Sequence, residues 1–486
     1  MEHFDLVVVG GGINGTAIAR DAAGRGASVL LVEKDDLASH TSSASSKLAH
    51  GGLRYLERYE FRLVREALAE RETLLRNAPH IVRPLRFVLP IAQGMRPRWM
   101  LRIGLLLYDL LALRGSLPRS RSVGRSDAAR APLREGASRP LLSYWDAWVD
   151  DARLVALNAV DAAERGAEIA TRTEFLSATR EDVLWNISLS GGRQVTAATI
   201  VNAAGPWVGD VLGGRIGEES EARVRLVRGS HIVVPALWEG DQAYLLQQPD
   251  GRVVFALPFE SGTLIGTTDV PASGPGDVEA SAEEIDYLCA AANRYFVREI
   301  TPADATWSFA GVRALWDDGA ADPEDVTRDY RLEAEDGLLS IFGGKITTAR
   351  ALASEALDRL GVPGLKFTRT TPLPGGDIFP SFLAWLEQAA GWMPADLLAR
   401  LSRTYGTRMR DVIGDAGRLD DLGRDLGAGL YESELRYLVE KEFARTAEDV
   451  LWRRTKLGLR MSEAERGDVE RYLSATEFGT APPCTG

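Results

Sequence analysis

The first 33 residues constrain the fold more than any later stretch. Phe4 to Val9 (FDLVVV) is the short apolar run of a buried parallel strand. Gly10, Gly12 and Gly15 follow in the spacing G-x-G-x-x-G, Ile13 to Arg25 reads as a helix, and Ser28 to Val32 (SVLLV) as a second strand closed by Glu33. In such a unit the first glycine permits the tight turn, the second lets a pyrophosphate approach the backbone, and the third allows helix to pack on strand. Ile13 and Asn14 open the helix, whose N-terminus offers unpaired N–H groups and a positive dipole end to phosphates. Glu33, followed by Lys34, stands where a carboxylate can accept hydrogen bonds from ribose hydroxyls. The unit predicts a dinucleotide site.

Composition limits the partners. A chain of 486 residues can hold two or three domains, and 45% hydrophobic with 26% charged residues is the balance of a globular protein. A net charge of −12 argues against general nucleic-acid binding and means that an anionic substrate needs a local basic pocket. Cys289 and Cys484 stand far apart, which predicts a reducing compartment rather than a disulfide framework. His3, His40, His50, His80 and His231 show no metal-ligand spacing, so no metal is expected. No signal peptide is read before the first strand.

Trp99 to Leu113 (WMLRIGLLLYDLLAL) is the longest apolar run, too short for the roughly 18 residues of a span and broken by Arg102 and Asp109. Seven arginines (Arg96, Arg98, Arg102, Arg114, Arg119, Arg121 and Arg125) surround it against the single acid Asp109. Two readings stay open: a helix lying on an anionic membrane surface, or a buried helix followed by a solvated arginine-rich loop.

Phe61 to Leu75 and Asp150 to Arg165 have helical periodicity, while Thr199 to Asn202, His231 to Val234, Val253 to Leu257 and Thr263 to Gly266 read as strands. Leu338 to Phe342, Gly343-Gly344 and Thr347 to Leu360 repeat the strand–glycine–helix pattern of the N-terminus. After Pro372-Leu373-Pro374-Gly375-Gly376, a linker, the segments Phe382 to Ala390, Pro394 to Tyr405, Ser433 to Thr446 and Ala447 to Leu457 all suit helices.

Ten blocks, in order along the chain, resemble the flavin-dependent, respiratory sn-glycerol-3-phosphate dehydrogenases. They are Ser42–Leu56 (SSASSKLAHGGLRYL), Tyr59–Glu72, Trp148–Leu154 (WVDDARL), Asn202–Trp207 (NAAGPW), Gly229–Pro235 (GSHIVVP), Gly266–Val270 (GTTDV), Gly311-Val312-Arg313, Thr327–Tyr330 (TRDY), Phe342–Thr348 (FGGKITT) and Asp449–Leu457 (DVLWRRTKL). The resemblance implies FAD as the dinucleotide and a D-amino-acid-oxidase-like α/β architecture. That architecture is a discontinuous Rossmann-like FAD domain (1–75, 145–225 and 310–371), an inserted mixed-sheet substrate domain facing the membrane (76–144 and 226–309), and an all-α C-terminal domain (377–486). It implies oxidation of glycerol 3-phosphate to dihydroxyacetone phosphate, with electrons passing through FAD to a membrane quinone. It also implies a cytoplasmic enzyme held peripherally on the inner face of the cell membrane. A soluble oxidase using O₂ and a non-catalytic flavoprotein are the competing readings. The sequence gives no oligomeric state, and a homodimer stays open.

A substrate phosphate needs bidentate or cationic donors. By resemblance Arg54, Tyr55, Thr268, Arg313, Arg328 and Lys345 line the substrate pocket, with Arg313 and Lys345 at the reacting end. Arginine is a poor proton acceptor, so Arg313 is expected to orient the substrate or stabilise alkoxide charge. His50 or His231 is the expected base, since histidine titrates near neutrality. Around the flavin the run Thr41, Ser42, Ser45, Ser46 and Lys47 supplies hydroxyls and a cation. Gly344, Lys345 and Thr347 supply a turn beside the ring, and Ala204 and Gly205 a close backbone approach. The chain departs from the family pattern at Ala314, where proline is common, and at Ala349 and Ala351, where an aromatic and a basic residue are.

Overall fold

The computed structural model describes residues 1–91, 96–112, 115–137, 141–276, 278–317, 329–378, 380–389 and 391–475, without the side chains of residues 54, 57 and 58. Two sheets and a helical C-terminal region organise it. The first sheet runs Arg331–Glu335, Leu338–Phe342, Gln194–Asn202, Glu2–Val9, Val29–Glu33, Glu168–Thr171. The last five are parallel, with Val9 opposite both Val32 and Asn202, and the hairpin Phe175–Glu181/Leu184–Leu189 extends Gln194–Asn202.

Why the opening strand reads as unbroken apolar residues is plain from its two faces. Leu6 and Val8 pack with the helices α1 (Ile13–Gly24), α4 (Asp151–Glu164) and α6 (Ala349–Arg359), while Val7 and Val9 pack with Trp185 and Ile187 of the hairpin. A parallel strand covered on both sides must be apolar at every position. Gly15 makes this packing possible: a Cβ there would lie 1.9 Å from the Gly10 carbonyl oxygen.

The second sheet runs Val270–Pro271, Val224–Pro235, Gly262–Gly266, Val253–Phe259, Ala243–Gln247, Val82–Pro90, Leu141–Val149, Leu48–Ala49. Trp307–Trp316 pairs with Val224–Pro235, placing Phe309 opposite His231 and Arg313 opposite Val227. This sheet therefore takes strands from 48–49, 141–149 and 307–316, inside or across the ranges expected for the nucleotide domain. The helix α2 (Phe61–Asn77) and the helix α3 (Arg98–Leu111) pack beside it through Leu68, Leu101, Leu105 and Tyr108, and α5 (Ala282–Asn293) packs through Leu288 on its other face.

Beyond Gly376 the described chain is helical apart from one isolated bridge between Asp425 and Tyr431, and it has its own core around Leu401, Met409, Leu435 and Leu438. Two of the expected helices differ there. The segment expected as 433–446 stops at Lys441, where the chain turns through Phe443 at φ 62°. The segment expected as 447–457 is a π-turn at Asp449–Arg454, ended by Lys456 at φ 60°. No described helix is long and apolar enough to cross a membrane.

Candidate active site

A cavity of about 350 Å³ opens at the carboxyl ends of the parallel strands, where Val9, Val32 and Ala203 meet Gly229, His231, Gly311 and Arg313 of the second sheet. That is where an open α/β sheet binds its ligand. At one end Gly10, at φ +113°, brings its backbone so near Ala203 that a Cβ would lie 2.6 Å from that carbonyl oxygen. Gly12 caps α1 without a side chain, and Ser42 Oγ accepts the Ile13 N–H at 3.0 Å. Glu33 lines the wall with one carboxylate oxygen held by Gly11 N–H (2.6 Å) and the other by Asp35 N–H (2.8 Å). Burial pushes the Glu33 carboxyl above its usual range against those two donors. Lys34 lies 4.8 Å over the Trp207 ring, and His40 packs on the same ring. Thr41 donates to the Val312 carbonyl at 2.6 Å, tying this wall to the second sheet. Ser45, Ser46, Ala204 and Gly205 also line the cavity.

At the other end Asn14 donates to the Gly343 carbonyl at 3.2 Å, and Gly344 adopts φ +113°. Lys345 follows, its Nζ 4.3 Å from the centre of the Tyr55 ring, buried and without a hydrogen-bond partner among the described residues. Thr347 Oγ1 accepts the His50 N–H at 3.3 Å. The His50 ring lines the cavity and makes no hydrogen bond among the described residues. Burial, with Lys345 and Arg71 beside it, holds His50 below its usual pKa despite the opposing pull of Asp146. His231 stacks on Phe309 at 4.9 Å, and its Nε2 is 2.9 Å from Ser46 Oγ. Burial first, then Lys47 and Arg313, push its pKa well down, so both rings are neutral at pH 7. Arg313 also lines the cavity, donating to Asp269 Oδ1 at 2.7 Å and to the Thr268 carbonyl at 2.9 Å.

Three expected residues sit elsewhere. Gly15 packs α1 on its strand, the role expected of the third glycine, and does not itself line the wall. Lys47 turns away from the cavity, 1% exposed, to pair with Asp151 at 2.7 Å, because a buried ammonium needs a carboxylate more than a partly wet pyrophosphate site can offer. Thr268 is buried with its hydroxyl donating to Glu284 at 2.6 Å, and its neighbour Thr267 faces the cavity instead. Arg328 and the side chain of Arg54 lie outside the described residues. Residues not foreseen include Asp269, which holds Arg313, and Trp207 with His40, which wall the glycine-turn end. Asp269 and Trp207 both lay within quoted sequence blocks. The signal for Asp269 was a carboxylate in a block that faces an arginine.

Residues 5–354 match the family model "FAD dependent oxidoreductase", and residues 366–473 match "C-terminal domain of alpha-glycerophosphate oxidase". The chain is 50% identical over 485 residues to D-erythritol 1-phosphate dehydrogenase of Brucella abortus (96% of each chain). It is 50% identical over 494 residues to glycerol-3-phosphate dehydrogenase of Pseudomonas aeruginosa (98% of this chain, 96% of that one). Among solved structures it is similar to the glycerol-3-phosphate dehydrogenase of Bacillus halodurans complexed with FAD. That match has a TM-score of 0.70 and 27% identity, and it covers 97% of this chain and 94% of the other.

Proposed function

This chain belongs to the FAD-dependent oxidoreductase family with an alpha-glycerophosphate-oxidase type C-terminal domain, and from that premise we propose that it oxidises sn-glycerol 3-phosphate to dihydroxyacetone phosphate and passes the electrons to a membrane quinone. Its own residues fit FAD. The start of α1 at Gly12, a residue with no side chain in the way, and the Gly10 turn suit the pyrophosphate, and Glu33 keeps a free lone pair on each oxygen for ribose hydroxyls. The buried, unpartnered Asn14 Oδ1 stands at the Gly343-Gly344 turn. When bound, FAD supplies the acceptor for the hydride that leaves the alcohol carbon.

The observation that carries the reading is the Lys345 ammonium, buried, without a hydrogen-bond or ion-pair partner among the described residues, and beside Tyr55 and His50 in the same cavity as Arg313. An unpaired buried cation costs free energy unless a ligand anion completes it, and a phosphate monoester does so. Lys345 holds the phosphorylated substrate. Arg313, fixed by Asp269, stabilises charge on the oxygen that becomes the carbonyl. His50 takes the hydroxyl proton: it is neutral and its ring makes no hydrogen bond among the described residues, whereas the His231 ring is held by Ser46.

Two relatives of equal identity bear names for different phosphorylated polyols, which supports a second reading in which erythritol 1-phosphate is the better substrate. Both readings share the phosphate and a secondary alcohol.

The membrane part of the proposal rests on α3. Its buried side is Leu101, Leu105 and Tyr108, while Trp99 (66% exposed), Ile103 (52%) and Leu106 (58%) face outward with Leu110. Arg98, Arg102 and Arg121 stand beside them, the first two reaching Ser122. An outward apolar stripe with basic flanks suits the anionic interface of the inner leaflet.

The test is anaerobic absorbance of the yellow protein near 450 nm (an approximate position for oxidised flavin). Bleaching by glycerol 3-phosphate, reversed by a soluble quinone and slowly by air, is the expected result. Faster bleaching by erythritol 1-phosphate selects the second reading. Rapid recovery in air makes O₂ the acceptor, and no bleaching by either substrate ends the proposal.

A further inference from the structure

We infer that the C-terminal domain completes the FAD site, and that Arg453, Arg454 and Lys456 are positioning residues for two loops that wall the cofactor. The block Asp449–Leu457 does not line the cavity, yet three of its contacts go to residues next to the cavity wall. The Asp36 carboxylate, 2% exposed, accepts Arg453 Nε at 2.7 Å and Arg454 NH1 and NH2 at 2.8 Å each. Asp36 lies within the loop that follows Glu33, and Glu33, Lys34, Ala38, Ser39 and His40 of that stretch line the cavity. The same loop is gripped from a second side. Arg172 N–H and Thr173 N–H donate to the Asp35 and Glu33 carbonyls at 2.8 Å each, and the Arg172 guanidinium pairs with Asp449 at 2.7 Å.

Lys456 reaches the other loop. Its Nζ bonds Asp150 Oδ1 at 2.5 Å, and Asp150 caps the start of α4. The adjacent Asp151 accepts Lys47 Nζ on both oxygens at 2.7 Å, and Ser45 Oγ at 2.7 Å. Ser45 and Ser46 line the cavity. Trp452 makes the third contact, 5.1 Å from Trp307, which packs on Phe309 and so on the ring of His231. One short segment thus touches the ribose-acid loop directly, and reaches the serine loop through Asp150 and Asp151 and the His231 ring through Trp307 and Phe309.

Ordinary domain packing does not require that convergence. Elsewhere at the same boundary Arg408 pairs with Glu164 and Arg460 with Glu260 at partly exposed positions, and none of the four lines the cavity. A buried carboxylate with two guanidinium partners holds its backbone in one place, because either charge left alone in the interior is strongly unfavourable. Loops held this way present Glu33 and the serines to FAD already ordered, and preorganised sites bind more tightly.

The experiment uses the purified full-length holoenzyme and needs no substrate, so its outcome is independent of the substrate and acceptor proposed above. FAD release is followed by the rise in flavin fluorescence on dilution, the dissociation constant by titrating FAD back, and thermal stability in parallel. Arg454→Met and Lys456→Met are expected to weaken FAD binding at least tenfold, while Arg408→Ala lowers thermal stability and leaves FAD affinity unchanged. Arg453→Lys keeps the buried charge but loses the forked donor set. It is expected to release FAD faster than the parent, and it decides the matter if the other two variants do not fold. Unchanged FAD affinity in the folded variants overturns the inference. So does a loss in Arg408→Ala that tracks the same fall in stability.

Discussion

Arg313 is the residue whose role can be separated most cleanly from cofactor binding. Its guanidinium is fixed by Asp269 and the Thr268 carbonyl on the second sheet, whereas the glycine turn and Glu33 belong to the first. Arg313→Ala is therefore expected to lower kcat about 10²–10³-fold, the usual cost of one donor to a developing oxyanion. The 450 nm band should persist, and loss of flavin from the variant would show that Arg313 had been misplaced. His50 makes a second, signed prediction. Burial, with Lys345 and Arg71, lowers its pKa, so the acid limb of kcat/KM should lie on the acid side of an ordinary histidine. His50→Asn should abolish that limb while His231→Asn shifts it, and an unchanged profile in His50→Asn removes it as the base. Residue types and blocks made most of this site legible: of the expected residues whose side chains are described, Gly15, Lys47 and Thr268 alone miss the wall. Lys47 and Thr268 miss it for one reason. A block marks a segment, but which side of the chain faces the ligand depends on partners far away, here Asp151 and Glu284, that no local pattern encodes.

At the scale of elements, periodicity found the pieces whose environment is uniform along their length. Leu338–Phe342 is buried throughout and agrees to the residue, and α2 and α4 agree to within two. Val82–Pro90 carries no strand signal because Pro84 and Pro90 disguise it, though it lies between two other strands in the second sheet. The π-turn at 449–454 has the sequence of an ordinary helix because tertiary pairing to Asp36 and Asp150, not propensity, sets its geometry. The junction between the α/β region and the helical domain holds a titratable group that tests its stability. Both ring nitrogens of His80 are buried without hydrogen-bond partners among the described residues, wedged between Gly375 and Gly406, and burial with the nearby Arg153 pulls its pKa down to about 3. A histidine kept neutral in the fold but free to charge near 6.5 when unfolded contributes in full above pH 6.5. Its contribution is then lost steadily as the pH falls from 6.5 toward about 3. Linkage sets the loss at about 2 kcal/mol between pH 7.5 and 5. His80→Leu should flatten the pH dependence of unfolding by about that amount across this window, measured by denaturant titration. Parallel curves for parent and variant would show that His80 is not held neutral.

The whole molecule carries a charge conflict that bears on its proposed place in the cell. Its net charge of −12 repels an anionic surface, while the patch of Arg98, Arg102 and Arg121 beside the outward stripe of α3 attracts one. Screening decides which prevails. At about 0.15 M salt the Debye length is roughly 8 Å, so only charges close to the bilayer count and the basic patch prevails. At about 0.01 M it is roughly 30 Å, and the acidic remainder of the protein is felt as well. At about 1 M even the patch is screened and the apolar stripe alone remains. Binding to vesicles rich in anionic lipid should therefore be strongest near physiological ionic strength and weaker on both sides, retaining an apolar remainder at high salt. Ile103→Glu with Leu106→Glu should remove that remainder, since each outward side chain is worth about 1.5–3 kcal/mol when buried in lipid, and should leave bleaching of the flavin by substrate intact. Sedimentation with vesicles across a salt series reads all of this. A smooth decline from the lowest salt upward would mean that the acidic bulk plays no part. No binding at any salt would mean that α3 meets something other than a membrane.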